Sequence, residues 1–329
     1  MYLGTQFGAR TDADYQTFKQ LGVNHINGFP DISHHNWTVN NLINYKEKVE
    51  SYGLALDMIQ LPLSSLDIDK RVKHGEFFNI LTGKSPERDQ EIERINHIIR
   101  MSSEAGINSL KYNLNIIGIP RTKSDTGRGG SKLSTFRWDQ ADQQAGDTYA
   151  GKVSEDIFWE RIEYFLERVV PVAEEFKVRL ACHPHDPYTP PGYKGVTRVL
   201  GTVEGLKKFI SINESKFHGL NFCQGTITEM MDDPGNEIFD VIRYFGNKEK
   251  IFNVHFRNIS GHKLNFTEVF PDEGSINMFE AIKVYKEVNY PYMLMPDHVP
   301  EINAKDPKMT AFSYCYGYIN ALLQVIEEI

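Results

Sequence analysis

The regular alternation of strand-like and helix-like segments constrains the fold of this chain more than any other feature. Eight short apolar runs, several of them rich in β-branched or aromatic residues, predict strands at Tyr2–Phe7, Val23–Gly28, Leu54–Leu61, Ser109–Ile117, Val178–His183, Gly219–Cys223, Ile251–Phe256 and Tyr292–Met295. Segments with helical periodicity lie between them, at Asp12–Leu21, Val39–Tyr52, Glu87–Ala105, Glu155–Phe176, Val203–Ile212, Asn236–Phe245, Ile276–Val288 and about Lys308–Glu328. Strands that alternate with helices are parallel, and eight such units in 329 residues predict a (β/α)₈ barrel.

A doubly wound open sheet is the alternative α/β arrangement. The chain has no GxGxxG after an early strand and no GxxxxGK[ST], which are typical of nucleotide-binding open sheets. It also has no linker rich in Pro, Gly or Ser. We therefore expect one barrel domain over residues 1–329.

Two strand-to-helix loops are much longer than the others. The first is a lid-like insertion at about residues 118–154, and its basic residues are Arg121, Lys123, Arg128, Lys132 and Arg137. The second covers residues 184–202 and contains four prolines. Long loops of this kind usually bind ligands or cover sites. In a barrel both would lie on the C-terminal face, where active sites occur.

The charge balance limits the classes of partner. The chain has 36 Lys and Arg against 44 Asp and Glu, a formal net charge of −8, which argues against general binding of nucleic acid. No apolar run approaches the roughly 18 residues that a membrane span needs. The first residues lack the basic start and apolar stretch of a signal peptide. We expect a cytoplasmic protein with no membrane partner.

The ends of the last four predicted strands carry potential metal ligands. They are His183, Cys223, His255 and Asp297. Each alone has an ordinary structural explanation, such as a buried cysteine or a capping aspartate. Neighbouring parallel strands lie about 4.8 Å apart, so four successive strand ends can converge on one ion. The set predicts a metal site at the C-terminal end of the barrel.

The identity of the metal is less constrained than its position. Two imidazoles, a thiolate and a carboxylate suit a first-row divalent ion, and the thiolate favours Zn²⁺ or Fe²⁺. A catalytic ion must also accept substrate. That requirement favours an ion with five or six ligands, such as Mn²⁺, Fe²⁺ or Co²⁺.

Three further residues near these strand ends suggest the chemistry. His298 follows Asp297 where the strand gives way to a loop, and it could act as a general base because imidazole titrates near neutrality. Arg257 and, from the insertion, Arg121 could hold a carboxylate. A metal ion, a base and arginines together predict a small anionic, oxygen-rich substrate that loses an α proton.

Four segments of the chain resemble the signature of the D-mannonate dehydratase family, which has xylose-isomerase-like barrels. They are His183-Pro184-His185-Asp186-Pro187, Phe222-Cys223-Gln224-Gly225-Thr226, Val254-His255-Phe256-Arg257-Asn258 and Pro296-Asp297-His298. Further agreement in order and spacing is found at Tyr112-Asn113, Arg121-Thr122, Gly130-Ser131-Lys132 and Val170-Pro171-Val172-Ala173-Glu174. The resemblance covers nearly the whole chain.

The resemblance implies a hydro-lyase that converts D-mannonate to 2-keto-3-deoxy-D-gluconate in hexuronate catabolism, with Mn²⁺ as the usual metal. It implies the same four metal ligands, an acid–base role for His298 and a pocket role for Arg257. We also expect four residues of the matched motifs to bind substrate: Asn113, Arg121, His185 and Asn258.

The chain departs from the family pattern at three places, one of which is His185-Asp186 in place of the acidic pair of the family's His-Pro-Asp-Asp-Pro motif. Met295 stands where the family typically has Arg, and no tyrosine follows a Pro-Gly pair after the last strand, where the nearest tyrosines, Tyr314 and Tyr316, are predicted to be helical. Two other functions therefore stay open: a metal-dependent isomerase, epimerase or lyase on a related carbohydrate, and a non-catalytic carbohydrate-binding barrel. Dimers are common among such barrels, so a homodimer is the alternative to a monomer.

Overall fold

The computed structural model describes residues 1–328, and its central element is a closed barrel of eight parallel strands. With strands numbered along the chain, the barrel consists of β1 (Tyr2–Thr5), β2 (His25–Gly28), β3 (Ala55–Gln60), β4 (Ser109–Asn113), β8 (Arg179–His183), β9 (His218–Cys223), β10 (Ile251–His255) and β13 (Met293–Met295). Two small antiparallel sheets contain the remaining strands β5 (Asp125–Thr126), β6 (Lys132–Leu133), β7 (Thr135–Arg137), β11 (Ile259–His262) and β12 (Asn265–Glu268).

The helices pack around the outside of the barrel. They are α1 (Asp12–Gln20), α2 (Val39–Ser51), α3 (Ile68–His74), α4 (Pro86–Glu104), α5 (Glu155–Glu175), α6 (Val203–Ser211), α7 (Gln224–Thr228), α8 (Pro234–Asn247), α9 (Met278–Glu287) and α10 (Pro307–Glu328). Several begin where a Ser or Thr side chain accepts a backbone N–H of the first turn, as Ser85 does for α4 and Ser154 for α5. No helix within residues 1–328 is long and apolar enough to cross a bilayer.

Barrel closure confirms the predicted fold class. The first strand pairs in parallel with β13, where Tyr2 lies opposite Met293, and with β2, where Gly4 lies opposite His25. An open doubly wound sheet would leave an edge at one of these positions. The two helices that the periodicity did not predict, α3 and α7, have only seven and five residues, which is too short for a clear apolar repeat.

The lower part of the barrel is filled by apolar side chains. Met58, Ala181, Phe252, Met293 and Met295 form one buried cluster there. Because side chains alternate along a strand, Asp297 continues the inward-facing row of Met293 and Met295. The apolar layer thus forms a floor, and the polar side chains above it lie at the C-terminal ends of the strands.

The long insertion after β4 contributes the strands β5, β6 and β7. The last of these joins the β11–β12 hairpin in a three-stranded sheet, in which Phe136 pairs with Phe266 and Thr135 with Thr267. Backbone hydrogen bonds also join Lys132 to Glu301, in the segment after β13. The insertion therefore lies across the C-terminal side of the barrel, the side that carries the predicted site.

Candidate active site

A cavity of about 1120 Å³ opens at the C-terminal ends of the barrel strands. Three of the four predicted ligands line it: His183, His255 and Asp297. Cys223 is fully buried directly behind Asp297, with its Sγ 3.8 Å from the Asp297 Oδ2. This cavity and the predicted metal site therefore coincide.

The four predicted ligands converge. One donor atom from each of His183, Cys223, His255 and Asp297 lies within 4.8 Å of the other three. The His255 Nδ1 is 3.1 Å from the Asp297 Oδ2, and the rings of His183 and His255 have centroids 5.1 Å apart. Strands β8, β9 and β10 are neighbours in the barrel, and β13 pairs with β10, which explains this convergence.

The turn after β9 favours a thiolate at Cys223. The short helix α7 begins there, and the Cys223 Sγ accepts hydrogen bonds from the Thr226 backbone N–H and hydroxyl, at 3.5 and 3.1 Å. Burial opposes ionisation of the thiol, but the charge of Arg257 and a hydrogen bond with His255 lower its pKa. A side chain at Gly225 would overlap the Arg257 guanidinium, which accounts for the glycine in this motif.

A hydrogen bond to the backbone leaves one nitrogen of His183 free to bind a metal ion. Its Nδ1 lies 2.7 Å from the Pro184 carbonyl oxygen, so the Nδ1–H donates there and Nε2 is left unprotonated. Burial and then the charge of Lys111 lower the pKa of His183 to about 4. The imidazole is therefore neutral near pH 7, as metal coordination requires.

The chemistry of this donor set fits a divalent cation. Cys223 and Asp297 bring two acidic groups together in a buried place, and the imidazoles of His183 and His255 complete the set. The pKa of Asp297 is well below its usual range, because His255 and His298 outweigh the effect of burial. A divalent ion would neutralise the two anions, whereas without a cation their repulsion would be costly.

A second buried cluster lies beside the first and consists of two arginines and three carboxyl groups. The Arg257 guanidinium contacts Asp186 at 3.1 Å, Glu229 at 2.9 Å and also Glu268. Arg121 contacts Asp186 at 2.6 Å and also Glu268. Burial and the charge of Asp186 raise the pKa of Glu229 well above its usual range. The cluster is thus close to charge neutrality, with two arginines facing two ionised carboxylates.

The imidazole of His298 is fixed by this cluster. Its Nδ1 lies 2.7 Å from the Glu268 Oε1, so the Nδ1–H donates to that carboxylate and Nε2 is the nitrogen left for a ligand. Burial lowers the pKa of His298, but Glu268 and then Asp297 outweigh it and raise the pKa to about 9. His298 lines the cavity, in keeping with its predicted place beside the substrate.

The other predicted site residues divide into two groups. Asn113 and Arg121 line the cavity. Arg257 is buried among its carboxylate partners and is not a lining residue, so it positions Glu268 and Asp186 instead of holding a substrate carboxylate directly.

His185 and Asn258 lie outside the cavity, although we expected both to bind substrate. His185 is buried against Phe158 and its Nε2 lies 2.9 Å from the Leu114 carbonyl oxygen. The Asn258 Nδ2 donates to the carbonyl oxygens of Pro271 and Ile276, both at 2.9 Å. Their hydrogen-bonding groups are thus used to hold loops together.

The two tyrosines nearest to the missing family tyrosine are helical, as predicted, and neither lines the cavity. Tyr316 is buried, with its hydroxyl 2.6 Å from the Thr5 Oγ1, and Tyr314 is on the outer surface. Neither can exchange a proton with a ligand at this site.

Sequence reasoning missed several residues of the site. Lys111 and Gln6 line the cavity from β4 and from the end of β1, and Glu268 reaches it from the β11–β12 hairpin. A signal for Lys111 was available, because a lysine in the middle of a buried strand is unusual. Glu268 had no such signal, since an acidic residue in a short hairpin is ordinarily exposed.

Removing the central arginine should destabilise the fold. Arg257→Met leaves Asp186 and Glu268 buried with one cation fewer, so we expect a loss of about 3–5 kcal/mol in the free energy of unfolding. Arg243→Met is the matched control, because Arg243 pairs with Glu287 on the surface and its loss should cost less than about 1 kcal/mol. Equilibrium denaturation in urea measures both. Equal effects of the two substitutions would contradict the buried role of Arg257.

Known proteins resemble this chain over most of its length. Residues 130–328, more than half of the chain, match the model of the family "D-mannonate dehydratase (UxuA)". A mannonate dehydratase of Thermotoga petrophila is 29% identical over 298 residues, which is 80% of this chain and 78% of that protein.

Solved structures show the same architecture. The crystal structure of mannonate dehydratase from Streptococcus suis serotype 2 matches with a TM-score of 0.79 and 24% identity, covering 98% of this chain and 93% of the other. A xylose isomerase domain protein from Planctomyces limnophilus matches with a TM-score of 0.63 and 12% identity, covering 99% and 98%. The xylose-isomerase-like barrel is therefore confirmed. The resemblance and the hydro-lyase class are also confirmed. The chain belongs to the D-mannonate dehydratase family.

Proposed function

We propose that this protein dehydrates D-mannonate to 2-keto-3-deoxy-D-gluconate and water, with a divalent metal, Mn²⁺ by preference. The observation that carries the proposal is the convergence of His183, Cys223, His255 and Asp297 within 4.8 Å beside a large cavity that also contains His298. Family membership supports the substrate and the reaction.

The four converging residues would hold the metal. When bound, the ion would polarise the carboxylate and 2-hydroxyl of the substrate and so acidify the proton on C2. Mn²⁺ is preferred over a four-coordinate Zn²⁺ because four protein ligands leave room for substrate only on an ion with a higher coordination number. Fe²⁺ and Co²⁺ meet the same requirement.

His298 would exchange the proton. The unprotonated form of His298 takes the C2 proton at Nε2 while Glu268 accepts from Nδ1–H and keeps the ring oriented; because its pKa is raised to about 9, this form increases as the pH rises towards 9. The 3-hydroxyl leaves from C3 as water with the proton that His298 returns, and the resulting enol loses its 2-hydroxyl proton as C3 gains one, which gives the 2-keto acid. Arg257 and Arg121 act through Glu268, which both contact.

The substrate pocket would be formed by the residues that line the cavity around the metal centre. Arg121 and Asn113 are the two predicted substrate residues found there. His185, Asn258 and Arg257 would support the pocket from behind. The cytoplasmic location and the homodimer stay predictions; the oligomeric state is measured by light scattering on the purified protein.

Incubation of the Mn²⁺-loaded protein with D-mannonate and other aldonates tests the proposal. We expect 2-keto-3-deoxy acid to accumulate from D-mannonate, at a rate at least tenfold above the rates with its stereoisomers. Turnover without loss of water would instead indicate an isomerase or epimerase. Binding of the sugar acid without any turnover would indicate a carbohydrate-binding barrel.

A further inference from the structure

Lys111 is a buried cation in the cavity with no carboxylate partner among the described residues. It lies on β4, its side chain is 7% exposed, and it lines the cavity. Its Nζ donates to the Gln6 Oε1 at 2.6 Å and lies 3.4 Å from the His255 Nε2. Neither of these groups is a carboxylate, and Lys111 forms no ion pair with another described residue.

The two buried arginines of the site already have carboxylate partners. Arg121 and Arg257 face the ionised Asp186 and Glu268. In the metal centre, the thiolate of Cys223 and the carboxylate of Asp297 would match the two charges of a divalent ion. The ammonium of Lys111, whose side chain is buried at the wall of the cavity, is then a positive charge without a carboxylate partner of its own. Such a charge is stabilised most by an anion from outside the protein.

The position of Lys111 suits contact with the carboxylate of a ligand that is bound to the metal. In the barrel, β4 pairs with β8, and the pair of Lys111 with Ala181 lies two residue pairs before the pair of Asn113 with His183, so Lys111 and Asn113 face the same side of the strand. The ammonium thus lies immediately beside the metal centre. The rest of this side of the cavity carries amides and a hydroxyl, from Gln60, Ser64 and Asn113, which suit the neutral hydroxyl groups of a sugar chain.

We propose that the Lys111 ammonium binds the carboxylate of the substrate and makes the site selective for sugar acids over neutral sugars and polyols. The inference deepens the proposed function and rests on it for the substrate class. Arg121 and Arg257 cannot make this distinction alone, since both are held by carboxylates of the protein.

Equilibrium binding of a charged and an uncharged ligand tests the assignment. Calorimetry on Mn²⁺-loaded His298→Asn protein, which should not turn over, gives the Kd of D-mannonate and of D-mannitol, its uncharged counterpart. Adding Lys111→Met should weaken D-mannonate binding by about 10- to 100-fold, the usual size of a charge-assisted contact. D-Mannitol binding should change by less than about twofold, and the Mn²⁺ content should be unchanged.

Two further variants serve as controls for this measurement. Lys111→Arg keeps the charge and should retain most of the preference for D-mannonate. Lys111→Gln replaces Lys111→Met if the latter does not give the circular dichroism spectrum of the parent. Equal weakening of both ligands, or unchanged D-mannonate binding, would overturn the assignment.

The inference and the proposed function fail in different ways. If the unmodified protein forms 2-keto-3-deoxy acid and Lys111→Met leaves its KM for D-mannonate unchanged, the Lys111 assignment fails alone. If D-mannonate binds with a Lys111-dependent preference but no aldonate is dehydrated, the proposed function fails alone. Absence of D-mannonate binding by the unmodified protein would overturn both.

Discussion

Replacing His298 with asparagine is expected to lower kcat for 2-keto-3-deoxy acid formation by about 10²- to 10⁴-fold, the usual contribution of a positioned general base. Asparagine is close in size to histidine and can still donate a hydrogen bond to Glu268, which holds the His298 Nδ1 at 2.7 Å. It cannot take up a proton near neutral pH. The loss should therefore fall on kcat, with KM and metal content close to those of the unmodified protein.

His97→Asn is the matched control for this substitution, because His97 is exposed on the outer face of α4 and far from the cavity. Its activity should equal that of the unmodified protein. A His298→Asn variant that dehydrates D-mannonate at more than a tenth of the normal rate would show that another group removes the C2 proton.

Replacing Cys223 with serine is expected to weaken metal binding by about 100-fold or more. Removing a residue that only hydrogen-bonds to a metal ligand already costs about 10- to 100-fold in affinity, and Cys223 is itself a predicted ligand. A serine hydroxyl is not ionised near neutral pH, so the site loses one of its two negative charges as well as its soft donor atom. Metal content by inductively coupled plasma mass spectrometry, and affinity by chelator competition, measure the effect. Activity should fall in parallel and be restored in part by excess Mn²⁺.

Cys182→Ser provides the control on the neighbouring strand. Cys182 is equally buried, but it precedes His183 and therefore faces away from the metal centre, into the helix layer. It should keep the full metal content even if the fold is somewhat less stable. Full metal content in Cys223→Ser, or equal losses in the two variants, would mean that the thiol is not a ligand.

The barrel and the four converging residues could be predicted from sequence because both follow from local patterns. Alternating apolar runs and helical periods identify the repeating unit, and parallel strands place their C-terminal ends at one face of the barrel. Cys223 ends a predicted strand, and His255 and Asp297 lie within two residues of the ends of the next two, so their proximity followed from the fold alone. The capping residues of the helices are similarly local.

The carboxylates around His298 could not be predicted in this way. Glu268 reaches the site only because β12 pairs with β7, whose residues lie about 130 positions earlier in the chain. No short-range pattern encodes such a pairing. The burial of Arg257 also depends on Glu229 and Asp186, which come from two other loops. The sequence suggested that Arg257 could contact a substrate because it follows β10, but it did not reveal the carboxyl groups that hold the guanidinium.

The pairing of β7 with β12 limits how this barrel can be recombined with its relatives. The insertion after β4 is held to the hairpin that carries Glu268, and Glu268 in turn orients His298. Exchanging the insertion alone would place a foreign strand against β12 and disturb the imidazole from a distance. A functional chimera should therefore exchange residues 118–154 and 259–268 together, as one unit inherited from one parent.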